Sequence, residues 1–527
     1  MSEILQNLWY GFGVALQPVN LLLAFVGAFV GTMIGVLPGI GPVSGIALLI
    51  PLIIGLHPAS AMIMLTAVYY GTMYGGSTTS ILMNVPGEAS SVATTFDGYQ
   101  MALQGRAGPA LAIAAVGSFI AGTLSIVALM LFSVPLARYA LAFGPAENFA
   151  LMVLGLASVS TLAGESLVKA LLATCFGLML ATVGTDLVTG TDRYTFGIPQ
   201  LLDGIDLVTV AVGLFAVSEV MLVVNEIAIR PRLLALQRIW LSARDFAEAF
   251  WAIIRGTVVG FYIGILPAAG ATIASFLSYG LEKRLARDPS TFGKGDIRGV
   301  AAPEAANNAA AVGNMIPMLT LGLPGSSTTA VMMGALLILN VLPGPTLFQK
   351  HPDVVWGLIA SMYVSNTVLL VMNLPLVGLF VQILRTPERY LYPLIMAVCV
   401  VGVYVVGRSQ VDLTLMVALG AVGYYMRKHD YPLGPAILGL VLGDRLEQTM
   451  RQALIISNGD PTTFVRRPIS AVILALAVVS LAAPALITRY RGWRQRAGGR
   501  VSRPAPATDP RGASSSTWMA RCWTRTG

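Results

Sequence analysis

From Leu21 to His57 the chain carries no Asp, Glu, Lys or Arg, and neither does Gly108 to Leu136. A helix crosses the hydrocarbon core of a bilayer with roughly 20 consecutive apolar residues. No soluble core accounts for so many runs of this kind. Only 11% of the residues are charged and 56% are hydrophobic, whereas soluble domains carry about 25% charged residues. The expected class is an all-α polytopic membrane protein with about 12 transmembrane helices. A β-barrel would need short strands of alternating polarity, and that pattern is absent. The net charge of +8 gathers in short loops and the C-terminal tail, where basic residues set membrane orientation. It does not indicate a nucleic-acid partner.

One apolar run is written twice. Gly27 to Pro42 reads G-A-F-V-G-T-M-I-G-V-L-P-G-I-G-P, and from Gly256 the chain reads G-T-V-V-G-F-Y-I-G-I-L-P-A-A-G-A. The pairs Val30/Val259, Gly31/Gly260, Ile34/Ile263, Gly35/Gly264, Leu37/Leu266, Pro38/Pro267 and Gly41/Gly270 match. Each copy is a Gly-spaced apolar helix running into a Pro/Gly break. Paired breaks of this kind point to two related halves with Gly/Pro-broken or re-entrant helical hairpins around a binding site. Backbone that leaves the helix inside a membrane must be buried in protein or line a wet cavity. The N-terminal end of a half-helix offers free N–H groups to a carboxylate. Pro38, Gly39, Ile40, Gly41 and Pro42, with Pro267, Ala268, Ala269 and Gly270, are therefore candidate substrate-binding positions. Gly27, Gly31 and Gly35 are read instead as helix-packing glycines.

The chain divides into an interfacial lead-in over 1–17 (with Trp9 and Tyr10), a first membrane half over 18–225 and a cytoplasmic joint over 226–250. A second membrane half over 251–488 and a disordered cytoplasmic tail over 489–527 follow. Arg230, Arg232, Arg238 and Arg244 mark the joint, and nine Arg against one Asp mark the tail. Lys283, Arg284, Arg287, Lys294 and Arg298 follow the second repeat. With both flanks basic, that segment would enter the membrane, turn and return. Residues 85–106 read as a polar loop.

Two hydroxyl clusters look alike: Gly76-Ser77-Thr78-Thr79-Ser80 and Gly325-Ser326-Ser327-Thr328-Thr329. Ser77, Thr78, Thr79, Ser327 and Thr328 are candidates for coordinating a coupling ion. The alternative is bonding back to their own helix carbonyls. Pro324, Gly325 and Ser326, and Asn84 with Pro86 and Gly87, are candidate substrate positions. Glu304, Asn307 and Asn308 share one helix face. A carboxylate at membrane depth is a functional candidate: Glu304 for a cation or proton, the two amides for substrate carboxyls. The competing reading puts Pro303 in the first turn of a helix, with Glu304 favouring its positive end. No catalytic constellation, Walker loop or metal-ligand spacing stands out, and His57, His351 and His429 read as loop residues.

These motifs together resemble the large permease subunit of the tripartite tricarboxylate transporters. The resemblance rests on L-P-G-I-G-P at 37–42, Y-G-G-S-T-T-S-I-L at 74–82, N-V-P-G-E at 84–88 and D-G-Y-Q-M-A at 97–102. P-E-A-A-N-N-A-A at 303–310, L-G-L-P-G-S at 321–326 and L-P-G-P at 342–345 follow in family order. It covers about residues 10–485, and the Arg-rich tail lies outside it. The resemblance implies a secondary carrier in the bacterial inner membrane, coupled to Na+ or H+ and needing no cofactor. Its implied partners are a small four-helix membrane subunit and a periplasmic solute-binding protein that delivers an organic carboxylate.

Overall fold

The charge-free runs fold as helices because, in lipid, a helix satisfies its own backbone hydrogen bonds. The computed structural model describes residues 2–37, 41–157, 166–186, 189–225, 239–266, 270–383 and 388–481. Candidate positions Pro38, Gly39, Ile40, Pro267, Ala268 and Ala269, most of the joint and the whole 489–527 tail lie outside them.

The first half runs α1 (Ser2–Ala15), α2 (Pro18–Val36), α3 (Gly41–Ile53), α4 (Pro58–Met83), α5 (Val92–Leu103), α6 (Ala107–Ala140), α7 (Pro145–Ala157) and α8 (Leu167–Ala181). A two-stranded antiparallel ribbon follows, β1 (Gly184–Thr185) with β2 (Asp192–Arg193). Helix α9 comprises Leu207–Ala211, a π-helical stretch Val212–Val217 and Ser218–Asn225. The second half runs α10 (Ala243–Ile265), α11 (Gly270–Leu285), α12 (Arg298–Gly313), α13 (Met315–Leu321), α14 (Ser327–Ile338) and α15 (Pro352–Asn373). It ends with α16 (Val377–Ile383), α17 (Glu388–Gly407), α18 (Gln410–Lys428), α19 (Leu433–Ile456) and α20 (Pro468–Leu481).

Helices α2, α6, α10 and α15 are long and apolar enough to cross a bilayer. Shorter apolar helices, α3, α7, α8 and α14 among them, complete the membrane region. Large apolar side chains lie exposed along the outer faces, including Leu124, Val127, Leu131 and Phe132 on α6 and Val401 and Tyr404 on α17. Such a surface suits lipid rather than water. The chain is an all-α polytopic membrane protein.

The duplication is structural. Helix α2 packs along α4 as α10 packs along α12. A Cβ on Gly27, Gly31 or Gly35 would overlap the backbone carbonyls of Met64, Val68 and Thr72. A Cβ on Gly256, Gly260 or Gly264 would overlap those of Ala302, Ala306 and Ala310. The glycines thus set the close helix approach that only a missing side chain permits. The halves then interlock, with α4 against α15, α12 against α6, α3 against α14, and α11 against α5 and the Ala89–Ser91 turn.

Two expectations change. Residues 85–106 are not an open loop, since α5 fills most of that stretch and buries Thr94, Asp97 and Met101. Helix α10 starts at Ala243, inside the basic stretch assigned to the joint, because Ser242 caps it through the Asp245 N–H at 3.1 Å.

Candidate functional site

The described residues on either side of the two breaks share one backbone geometry. Helix α2 ends at Val36 and Leu37 turns extended (φ −85°, ψ 113°), its N–H bonding Ile34 at 3.1 Å. Helix α10 ends at Ile265 and Leu266 repeats the geometry (φ −71°, ψ 123°), its N–H bonding Ile263 at 3.1 Å. Each following half-helix starts on a glycine in the left-handed region, Gly41 at φ 62° and Gly270 at φ 69°, where a side chain would be strained.

Matched loops follow the core helices. Helix α4 ends on Asn84 and α13 on Gly322, both left-handed. Pro86-Gly87-Glu88 then corresponds to Pro324-Gly325-Ser326. Glu88 forms a capping box with Ser91, and Ser326 forms one with Thr329. Gly87 lies against Gly76, and Gly325 lies against Asn314. This register corrects the likeness of the hydroxyl clusters. Ser77-Thr78-Thr79-Ser80 sits inside the continuous helix α4, while Ser326-Ser327-Thr328-Thr329 opens α14 and corresponds to Glu88–Ser91. Thr79 and Ser80 bond back to the Gly76 carbonyl at 3.1 and 2.9 Å. Asn84 is exposed and lies outside the cluster below.

That cluster forms where α4, α5, α6 and α12 meet. Glu304 is fully buried, in the middle of α12 rather than its first turn, because the helix already starts at Arg298 and Pro303 lies inside it. Two of its carbonyls also bind the neighbouring helix: Ser275 donates to that of Pro303 at 3.2 Å and Ser278 to that of Ala302 at 3.0 Å, which ties α11 to α12. The Glu304 carboxylate accepts from Ser77 Oγ at 2.5 Å, from Thr94 Oγ1, and from Asn307 Nδ2 at 3.4 Å. Asn308 Nδ2 reaches Ser118 Oγ at 2.8 Å, the Glu304 carbonyl at 3.1 Å and Asn307 Oδ1 at 2.7 Å. The two amides therefore hold Glu304 and its helix. All of the carboxylate's partners are neutral. A second group lies nearby, where Asn314 Nδ2 donates to the Tyr69 hydroxyl at 3.2 Å, with Ser326 and Thr328 beside the same hydroxyl.

Asp97, in the D-G-Y-Q-M-A motif, is fully buried and ties the halves together. Its Oδ1 accepts N–H bonds from Gly293 (2.8 Å), Gly295 (2.8 Å) and Asp296 (2.9 Å), and its Oδ2 accepts from Tyr279 at 2.9 Å. This fixes the α11–α12 linker and hence the start of the Glu304 helix. In that linker, burial pushes the Asp296 carboxyl up. Hydrogen bonds from the Arg298 side chain and the Thr291 hydroxyl outweigh it and hold Asp296 below the usual carboxylate range. The histidines sit at helix ends as expected, His57 before α4, His351 before α15 and His429 after α18.

Sequence reasoning missed Thr94, Ser118 and Tyr69. Thr94 lay in a presumed loop, and Ser118 and Tyr69 look like ordinary span residues.

A membrane bundle with two interlocked, internally broken halves and a carboxylate sealed among neutral donors defines a transporter-like membrane protein. Residues 21–438 match the model of the tripartite tricarboxylate transporter TctA family, and the chain belongs to that family. It is 44% identical over 497 residues to an uncharacterized 52.8 kDa protein in the TAR-I ttuC' 3'region of Agrobacterium vitis, spanning 94% of this chain and 99% of that protein. It is 43% identical over 220 residues to an uncharacterized protein in the TAR-II ttuC' 3'region of the same organism, spanning 42% of this chain and 91% of that protein. No solved structure matches it.

Proposed function

We propose that this chain is the large permease subunit of an ion-gradient-driven carrier in a bacterial inner membrane. It imports tricarboxylates or related organic carboxylates by Na+ or H+ symport. A periplasmic binding protein delivers the solute, and a small four-helix membrane subunit completes the assembly. The observation that carries this reading is Glu304. A carboxylate at full burial with no cationic partner among the described residues is costly to keep as a bare ion. It therefore pairs naturally with a proton or a cation that arrives and leaves during transport. The half-helices that begin at Gly41 and Gly270 supply positive backbone ends to the carboxylate solute.

Uptake of labelled citrate and related carboxylates into proteoliposomes, with the two partner proteins supplied, tests the proposal. Accumulation above the external concentration, lost when the ion gradient is collapsed, is the expected result. Equilibration alone would indicate a passive anion channel, and recovery of a chemically altered solute an intramembrane enzyme.

A further inference from the structure

Between α4, α6 and α15 lies a cavity of about 10 Å³ whose polar lining comes from Tyr74, Ser77, Thr78, Ser118 and Asn373. That volume is roughly one water or one bare ion, and too small for any organic solute.

Its lining presents oxygen lone pairs. Ser77 gives its proton to Glu304 at 2.5 Å, and Tyr74 gives its own to Asn366 Oδ1 at 2.8 Å. Ser118 accepts from Asn308 and directs its hydroxyl to the Glu304 carbonyl at 3.4 Å. The Asn373 amide nitrogen is bound to the Leu369 carbonyl at 3.0 Å. Asn373 Oδ1 has no hydrogen-bond partner among the described residues, although the residue is only 5% exposed. A buried carbonyl oxygen without a partner carries a desolvation cost that a cation or a water in the cavity relieves. With the protons of Tyr74, Ser77 and Ser118 committed elsewhere, the cavity offers an acceptor set that suits a hard cation. Its charge comes from Glu304, one hydrogen bond away through Ser77. No carboxylate lines the cavity itself, and no group of three or more His, Cys, Asp or Glu among the described residues could hold a metal ion. This composition fits a monovalent ion rather than a divalent one.

We propose that this cavity binds a single sodium ion, coordinated by Thr78, Ser77, Ser118, Tyr74 and Asn373 and balanced by Glu304. The proposal rests on the ion-coupled reading above and names the place of coupling; Asn373, Ser118 and Tyr74 enter as ion ligands.

The full-length protein in lipid nanodiscs, without carboxylate, provides the test. Its melting temperature is followed against NaCl, with choline chloride holding ionic strength constant. The expected result is a saturable rise with sodium that choline does not reproduce. Thr78→Val, and separately Asn373→Leu, should weaken half-saturation by roughly tenfold or more. Thr367→Val, on the exposed face of α15, should leave it unchanged. Should Asn373→Leu fail to fold, Thr78→Val with direct binding of radioactive sodium decides the matter.

A wild-type protein with no saturable sodium response would overturn the proposal and leave the cavity to water. So would Thr78→Val binding sodium as the wild type does. Ion-driven uptake that persists with unchanged sodium dependence in Thr78→Val removes this site while the carrier reading stands. Sodium binding lost in both variants, alongside a wild type that never accumulates solute, keeps the site and removes the carrier reading.

Discussion

Helices α4 and α12 hold corresponding places in the two halves, each with a glycine-faced helix packed along it, and their chemistry differs. In the register set by those glycines, Thr66 corresponds to Glu304, Tyr69 to Asn307 and Tyr70 to Asn308. On α12 the carboxylate and amides are bonded into one network. On α4 the Thr66 and Tyr70 hydroxyls have no hydrogen-bond partner among the described residues. Duplication thus supplied the scaffold twice, while of these two helices only α12 carries a carboxylate, Glu304. The helix that carries it is also the one whose approach is longer and anchored: Asp97 of the first half grips the α11–α12 linker, whereas only residues 54–57 join α3 to α4.

The scaffold should respond alike in both halves. Gly31→Leu and Gly260→Leu each force a side chain into a backbone carbonyl and should cost about 3 kcal/mol or more, read as loss of folded protein in thermal melts. A large difference between the two would break the equivalence of the halves. Asp97→Ala strands three N–H groups and the Tyr279 hydroxyl, and should cost about 2 kcal/mol or more. In hydrogen exchange, the opening should be confined to the α11–α12 linker and the first turn of α12. Gly41→Ala and Gly270→Ala place a side chain in a left-handed residue with open space around it, at about 1 kcal/mol each. Matched effects would confirm that the breaks are equivalent. Thr66→Val removes a buried hydroxyl that has no hydrogen-bond partner among the described residues, so it should leave stability unchanged or raise it by up to about 1 kcal/mol, and uptake should be unaffected.

Much of this frame could be read from the chain before its fold. The repeated glycines, the Leu-Pro breaks and the absence of charge each have a local physical cause, so they survive in a single sequence. Glu304 stood out because a carboxylate in an apolar setting is costly wherever it lies. Its partners did not stand out. Thr94 is 210 residues away in sequence, and only packing brings it near. The hydroxyl clusters misled because like sequences sat in unlike places, one inside a helix and one at a helix start. The capping boxes at Glu88 and Ser326 carry the true correspondence, and their sequences, G-E-A-S-S and G-S-S-T-T, share little beyond the Pro-Gly before them. Pro303 suggested a helix start. The start lies earlier, where Asp97 holds the linker, and that contact crosses the halves.

The most direct test of the central claim, that one buried carboxylate couples the duplicated scaffold to an ion gradient, is carboxylate uptake by Glu304→Gln in proteoliposomes. Glutamine keeps the shape and an acceptor oxygen for Ser77 and Thr94 but cannot hold the charge. The account predicts a folded protein that no longer accumulates solute under an imposed Na+ or H+ gradient. Accumulation equal to the wild type, with the same ion dependence, would contradict it.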